Sequence, residues 1–209
     1  MEPFQPEHQK IIQEVVNNLQ QLTKKTEDNL IINGIIDAIN KLNKLIATKE
    51  FAKLETKELK YKEGKYIGQV LNGLAEGRGT CIFNNGNKYE GYCKQGKAEG
   101  RGTKHWNNGD RYEGEYKNDK KDGKGIYFYH NGDRYEGLWK GGNRSYTGTY
   151  LYNNGDRYDG DWKNDKKNGK GIYYYRNGDR RMGNYINDMP TGEHIILRKN
   201  GDVESTYYK

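Results

Sequence analysis

The chain has 209 residues, a length for one domain or for one domain with an attachment. Only 32% of its residues are apolar and 31% are charged, but 19 tyrosines and 28 glycines against 3 prolines argue against disorder. A mean hydropathy of −1.23 excludes a membrane-spanning helix, an acidic opening segment without an apolar core (MEPFQPEHQK) argues against a secretory leader, and two cysteines without metal-ligand spacing argue for a reducing compartment and no metal.

Composition divides the chain near Leu59–Lys62. Residues 1–60 hold one glycine, no Tyr or Trp, and nine basic against nine acidic residues. Residues 61–209 hold the remaining 27 glycines and the whole net charge of +7. The first piece predicts helices. Ile11, Ile12, Val15, Val16, Leu19 and Leu22 recur at three- and four-residue steps, and so do Ile32, Ile35, Ile36, Ile39, Leu42, Leu45 and Ile46. Thr26 followed by Glu27 and Asp28 suits an N-cap, and the short break at Lys24–Thr26 predicts a helical hairpin. A weaker third segment carries Phe51 and Leu54. The hairpin is expected to cap the following domain, with docking onto a partner helix as the alternative.

The second piece repeats every 23 residues. Tyr66, Tyr89, Tyr112, Tyr135 and Tyr158 lead the repeats, with Arg181 and Glu204 in the next two places. Glycine follows at Gly68, Gly91, Gly114, Gly137, Gly160 and Gly183, and Thr206 closes that column. Val70, Cys93, Tyr116, Trp139, Trp162, Tyr185 and Tyr208 form a column two residues further on. Within DRYEGEYKNDKKDGKGIYFYHNG (110–132), Tyr112, Gly114 and Tyr116 alternate with Glu113, Glu115 and Lys117, the period of a strand. A second strand is expected around Gly123–Tyr129, and Asn131–Gly132 predicts a tight turn, so each repeat is one hairpin.

The expected register sets Tyr129 opposite Tyr135, Tyr127 opposite Gly137 and Gly125 opposite Trp139 across the Asn-Gly turn. Across the KNDKK segment, read as a wider turn, it sets Tyr112 opposite Tyr127 and Tyr116 opposite Gly123. Rings then lie over glycines, which accounts for glycine inside strands. About 13 strands at ~4.8 Å each would make an elongated single-layer twisted antiparallel sheet roughly 60 Å long. His194 and Glu204 break the pattern at the C-terminal end, as a capping repeat would.

Tyr-x-Gly-x-aromatic, then Gly-x-Gly, then Asn-Gly, at this period, resembles the MORN repeat (membrane occupation and recognition nexus). YEGEYKNDKKDGKG (112–125) and YDGDWKNDKKNGKG (158–171) carry the pattern most fully, and the resemblance covers 61–209. It implies an elongated twisted sheet with a groove, a scaffold at membrane junctions, in the cytoskeleton or in ciliary axonemes, and a cytoplasmic location. The helical N-terminus and the Asn- and Lys-rich array resemble protist members of the family. Departures stand at Tyr146, which replaces a glycine and is expected to distort the surface beside Trp139, and at KGGNR (140–144).

Catalytic chemistry is not legible. Gly-x-Gly recurs without a phosphate-loop context, and four scattered histidines make neither a metal site nor a triad, so no enzyme, cofactor or metal is expected. Cys81 and Cys93 read as small apolar fillers. Lys88, Arg111, Arg134, Arg157 and Arg180, flanked by Asp110, Asp133, Asp156 and Asp179 and by Glu90, Glu113, Glu136 and Asp159, read as a solvated cross-strand ladder. The favoured function is a non-enzymatic scaffold whose aromatic face or groove, at Trp106, Tyr116, Tyr129, Trp139, Trp162, Tyr175 and Tyr185, binds a helical or extended protein segment. The alternative is peripheral binding to an anionic membrane through Lys120, Lys121, Lys166 and Lys167. Homodimerisation through the C-terminal repeats is compatible with either, and nucleic acid is not expected as a partner.

Overall fold

The computed structural model describes residues 6–23, 29–48 and 54–209. The chain forms two compact units, Met1–Lys53 and Leu54–Lys209. In the first, α1 (Pro6–Thr23) and α2 (Asn29–Thr48) pack on each other. Val16 and Ile39 are buried between them, while Val15, Leu22 and Ile36 stay exposed. The expected cap at Thr26 and the segment at Phe51 lie outside the described residues, and Leu54 is exposed.

The second unit is one 14-stranded antiparallel meander, each strand paired with the next. Its strands are β1 (Glu55–Tyr61), β2 (Gly64–Leu71), β3 (Leu74–Phe83), β4 (Lys88–Lys94), β5 (Lys97–His105), β6 (Arg111–Lys117), β7 (Lys120–Phe128), β8 (Arg134–Lys140), β9 (Asn143–Leu151), β10 (Arg157–Lys163), β11 (Lys166–Tyr174), β12 (Arg180–Ile186), β13 (Met189–Leu197) and β14 (Val203–Tyr208). The sheet therefore begins at Glu55, inside the stretch that composition groups with the helices. ETKELKY lacks the glycine and aromatic marks of the repeat, but it pairs along its whole length with β2. As an edge strand it is charged and exposed, which discourages pairing with another chain.

The two turn types are the reverse of those expected. The KNDKK segment makes the tight turn: Asn118 and Asp119 both have positive φ (48° and 67°), and Lys117 pairs with Lys120. That is a two-residue type I′ hairpin, whose twist matches that of the strands. The Asn-Gly segment makes a three-residue loop. The Gly132 amide donates to the Tyr129 carbonyl (3.0 Å), the Tyr129 amide donates to the Asp133 carbonyl (3.0 Å), and Gly132 alone takes the left-handed conformation (φ 91°). Asn131 contributes a side-chain acceptor for the Asp133 amide (3.0 Å). Across this loop Tyr127 consequently faces Tyr135, Gly125 faces Gly137, and Gly123 faces Trp139, two residues from the expected register. A slip of two preserves the face of every side chain, so the ring face forms as expected. On the other side Tyr112 faces Tyr127 as expected, but a bulge between Gly114 and Tyr116 sets Tyr116 opposite Lys121 rather than Gly123. Gly123 stands in the bulge at φ 102°.

Candidate functional site: a packed ring face and an open groove

Each lead tyrosine lies flat over two glycines. A methyl group at Gly114 or Gly125 would collide with the phenol of Tyr112. The hydroxyl then donates to the carbonyl three residues on, from Tyr66 to Gln69 (2.8 Å), Tyr89 to Tyr92 (2.8 Å), Tyr112 to Glu115 (3.1 Å), Tyr135 to Leu138 (3.2 Å) and Tyr158 to Asp161 (3.4 Å). Each acceptor sits at the bulge of its repeat, where the ladder register shifts. Tyrosine rather than phenylalanine is required because the hydroxyl satisfies that carbonyl. Larger rings close over the tyrosines edge to face: Trp139 meets Tyr112 (5.3 Å, 82°) and Tyr135 (5.2 Å, 88°), and Trp162 meets Tyr135 (5.3 Å, 81°).

This packing takes in most of the aromatic residues expected to meet a partner. Of the seven aromatic candidates, Tyr116, Trp139, Trp162 and Tyr185 are buried at 1–5% exposure, and Trp106, Tyr129 and Tyr175 are half-buried. The rings pack on one another, with the buried Tyr116 hydroxyl left without a hydrogen-bond partner among the described residues. The Trp139 and Trp162 indoles donate to the Gly125 (3.3 Å) and Gly148 (3.1 Å) carbonyls. Cations from the chain itself complete the cover. Lys121 Nζ lies 3.7 Å from the Trp139 ring centre, Arg144 lies 4.4 Å from Trp162, and Lys167 lies 5.0 Å from Tyr158. Lys121 and Lys167, offered by sequence to a membrane, are thus half-buried on the ring face, and burial lowers the Lys121 ammonium to about 8 and lowers Lys167 as well. Lys120 and Lys166 are exposed beside the type I′ turns, in company with Lys97, Lys117, Lys140 and Lys163 along the same edge.

The charged columns divide into two structures. Lys88–Glu90 (2.9 Å), Arg111–Glu113 (3.2 Å), Arg134–Glu136 (2.6 Å) and Arg157–Asp159 (3.0 Å) pair along a strand rather than across strands. The aspartates are staples between repeats, not rungs of that ladder. Asp110 accepts from the Tyr127 hydroxyl (2.8 Å) and the His130 amide (2.8 Å), and Asp133 and Asp156 repeat this with Tyr150 and Asn153 and with Tyr173 and Arg176. Burial alone would raise Asp110, but these bonds and the His130 ring outweigh it and hold the carboxyl at about 2.

On the face opposite the rings lies an open groove of about 1490 Å³ running from β1 to β10. Its floor is the double glycine column, including Gly91, Gly102, Gly114 and Gly125, and its apolar side chains include Ile67, Tyr92, Ile126 and Leu138. The lead tyrosines and the rings that close over them stand on the other side, while Phe128, Leu151 and Tyr174 share the groove's face near the Asn-Gly loops, with Arg111 over Phe128 and Arg157 over Tyr174. The strand alternation places Glu113 and Glu115 on this face, but only the coil of the sheet makes it a groove. Tyr146 leaves the groove continuous: it keeps the bulge conformation of the glycine it replaces (φ 62°) and is 60% exposed, while Thr147, Gly148 and Thr149 line the groove as their equivalents do. Cys93 is buried and Cys81 half-buried in a smaller hollow of about 430 Å³ on the ring side, where Ala98 and the two thiols replace bulkier residues of later repeats. Among the described residues no group of three or more His, Cys, Asp or Glu could hold a metal, and no helix is long and apolar enough to cross a membrane.

No curated protein matches the chain. Among solved structures it is similar to the TCP domain of SAS-4 (dCPAP) of Drosophila melanogaster in complex with a proline-rich motif of Ana2 (dSTIL), at 15% identity over 73% of this chain and 90% of that one, with a TM-score of 0.45. It is also similar to virginiamycin B lyase of Staphylococcus aureus with quinupristin, at 10% identity over 75% of each chain, with a TM-score of 0.17. The MORN repeat matches five consecutive segments, 66–88, 89–111, 112–134, 135–157 and 158–180. These cover 115 of the 209 residues and coincide with the hairpins of a single continuous meander, so the chain belongs to the MORN-repeat family.

Proposed function

We propose that the chain is a non-enzymatic scaffold that holds a polypeptide partner in the glycine-floored groove, as a component of a cytoskeletal or ciliary assembly. The observation that carries this reading is the contrast between the two faces. The ring face is packed, while the groove leaves Ile67 and Tyr92 exposed over a glycine floor that spans nine strands, β2 to β10. At about 1490 Å³ it exceeds the ~300–1,000 Å³ of small-molecule pockets and has the shape of a track for a chain. A photo-crosslinking residue at Leu138, in the groove, tests it against one at Tyr152, on the ring face, in the native cell. A protein adduct from position 138 alone is expected. An adduct from position 152 alone, or none from either, refutes the reading.

A second reading has its own observation. Lys97, Lys117, Lys120, Lys140, Lys163 and Lys166 are exposed along one sheet edge, and among the described residues only Lys140 of these has an ion-pair partner, Asp122 at 3.7 Å. Such a row would attract an anionic membrane. Sedimentation with phosphatidylserine vesicles tests it. Binding that persists when Lys117, Lys120, Lys163 and Lys166 are changed to Glu would remove this edge as the contact.

A further inference from the structure

The two sides of the groove differ in how their charges are matched. Along the strands that carry the lead tyrosines, three of the four groove acids have ion-pair partners: Glu113 pairs with Arg111, Glu136 with Arg134 and Asp159 with Arg157, and Glu115 has none among the described residues. Along the intervening strands stand Arg78, Arg101 and Lys124, all exposed and all lining the groove. None of the described residues forms an ion pair with any of these three. Arg78 rests over the Tyr92 ring (5.0 Å), Arg101 lies across from Glu115 without pairing with it, and Lys124 lies across from Leu138. The groove thus has one flank on which Glu115 alone of the groove acids is unpaired among the described residues, and one flank of free cations.

The spacing of the free cations is fixed by the repeat. Arg78, Arg101 and Lys124 are 23 residues apart on β3, β5 and β7, two strands per step. Two strands span about 9.6 Å. Seven residues of α-helix advance about 10.5 Å and return to nearly the same face. An extended β-strand cannot match this step, because residues an odd number apart point to opposite sides, whereas a polyproline II segment, at about 9.3 Å per three-residue turn, does match it and is the occupant the test below separates from a helix.

We propose that the groove's occupant is an amphipathic partner helix lying across the strands. It carries acidic side chains at i, i+7 and i+14 toward Arg78, Arg101 and Lys124, and apolar side chains toward Ile67, Tyr92, Ile126 and Leu138. This rests on the groove being the binding site and adds the conformation and charge register of what binds there. The apolar floor supplies attraction without register, and the cations supply register and exclude basic segments.

The test is fluorescence anisotropy with the full chain and three synthetic peptides. One is helix-forming, with Glu at i, i+7 and i+14 beside an apolar stripe. The second has the same composition with the Glu positions spread around the helix. The third is a proline-rich extended peptide with Glu at every third residue. The register-matched helix is expected to bind about tenfold more tightly than the second peptide, with the preference fading in 0.5 M salt. In the double variant Arg101→Glu/Lys124→Glu the preference is expected to vanish, and a helix with Lys at i, i+7 and i+14 is expected to gain it. Equal binding of the first two peptides overturns the proposal. Tighter binding of the proline-rich peptide, or displacement of the helix by single-stranded RNA, overturns it too. Failure of all three peptides, in a chain that still crosslinks a protein from position 138, overturns the charge register and leaves the groove reading standing. Failure of both removes both.

Discussion

The imidazole of His194 packs against Gly183 from the strand opposite to the one that supplies the ring in every complete repeat. In those repeats the lead tyrosine covers the glycine of its own strand and that of the next. Arg181 stands in the tyrosine's place in the last turn of the pattern, and His194 stands where the facing glycine would be. The substitution is reciprocal. His194 Nε2 donates to the Asn184 carbonyl (2.8 Å), the acceptor equivalent to the Asp161 carbonyl that Tyr158 uses. Its ring meets Tyr185 (5.3 Å, 78°) and Tyr208 (4.9 Å, 75°) edge to face, as Tyr158 meets Trp162 and Tyr185. What reads in sequence as decay toward a cap is an exchange of ring and gap between two strands.

His194→Gly should therefore cost about 2–4 kcal/mol, the scale for removing a fully buried ring and its hydrogen bond. Arg181→Tyr added to His194→Gly should restore most of that loss by recreating the arrangement of the earlier repeats. Urea unfolding of the two variants decides. A double variant no more stable than the single one would show that position 194 does not substitute for the lead tyrosine.

The same contact in an intact repeat separates ring from hydroxyl. Gly125→Ala places a methyl group into the phenol of Tyr112, which is fully buried and cannot retreat, and should cost about 1–3 kcal/mol. Tyr112→Phe keeps the ring and strands the Glu115 carbonyl, for a loss of about 1 kcal/mol. Thermal melts should rank the two in that order.

Tyr146 holds a left-handed conformation that glycine holds in the neighbouring repeats, and its side chain is largely exposed. Tyr146→Gly relieves backbone strain and gives up little packing, so it should stabilise the chain by about 1 kcal/mol. A lower denaturation midpoint in Tyr146→Gly than in the wild type would mean that the exposed ring contributes packing that outweighs the strain.

The aspartate staples set the acid limit of stability. Asp110 is held at about 2, with Asp133, Asp156 and Asp179 also lowered, each by hydrogen bonds received from the following repeat. A carboxyl whose folded pKa lies below its unfolded one contributes stability above the unfolded value, near 3.8, and loses it as the pH falls toward the folded value. Unfolding followed from pH 5 to pH 2 should show stability falling across that window. Asp110→Asn should be less stable than wild type at pH 6, with the gap narrowing toward pH 2. A pH-independent gap would assign the staple to shape rather than charge.

The sequence alone determined the repeat, the strands and the ring face, because a strict 23-residue period with alternation of two fixes which side chains share a face whatever the register. It did not determine β1, which has no repeat signature and is held by pairing with β2. Nor did it determine the register: Asn-Asp in a type I′ turn and Asn-Gly in a three-residue loop are told apart by backbone dihedrals that several residue pairs accept. The tertiary structure decided which face is free. Tyr116, Trp139, Trp162 and Tyr185 read from sequence as an offered surface, yet rings from adjacent repeats and the cations Lys121, Arg144 and Lys167 close over that face. Coverage of that kind depends on distances between repeats, which no column of residues contains, and it leaves the glycine-floored side as the one that is open.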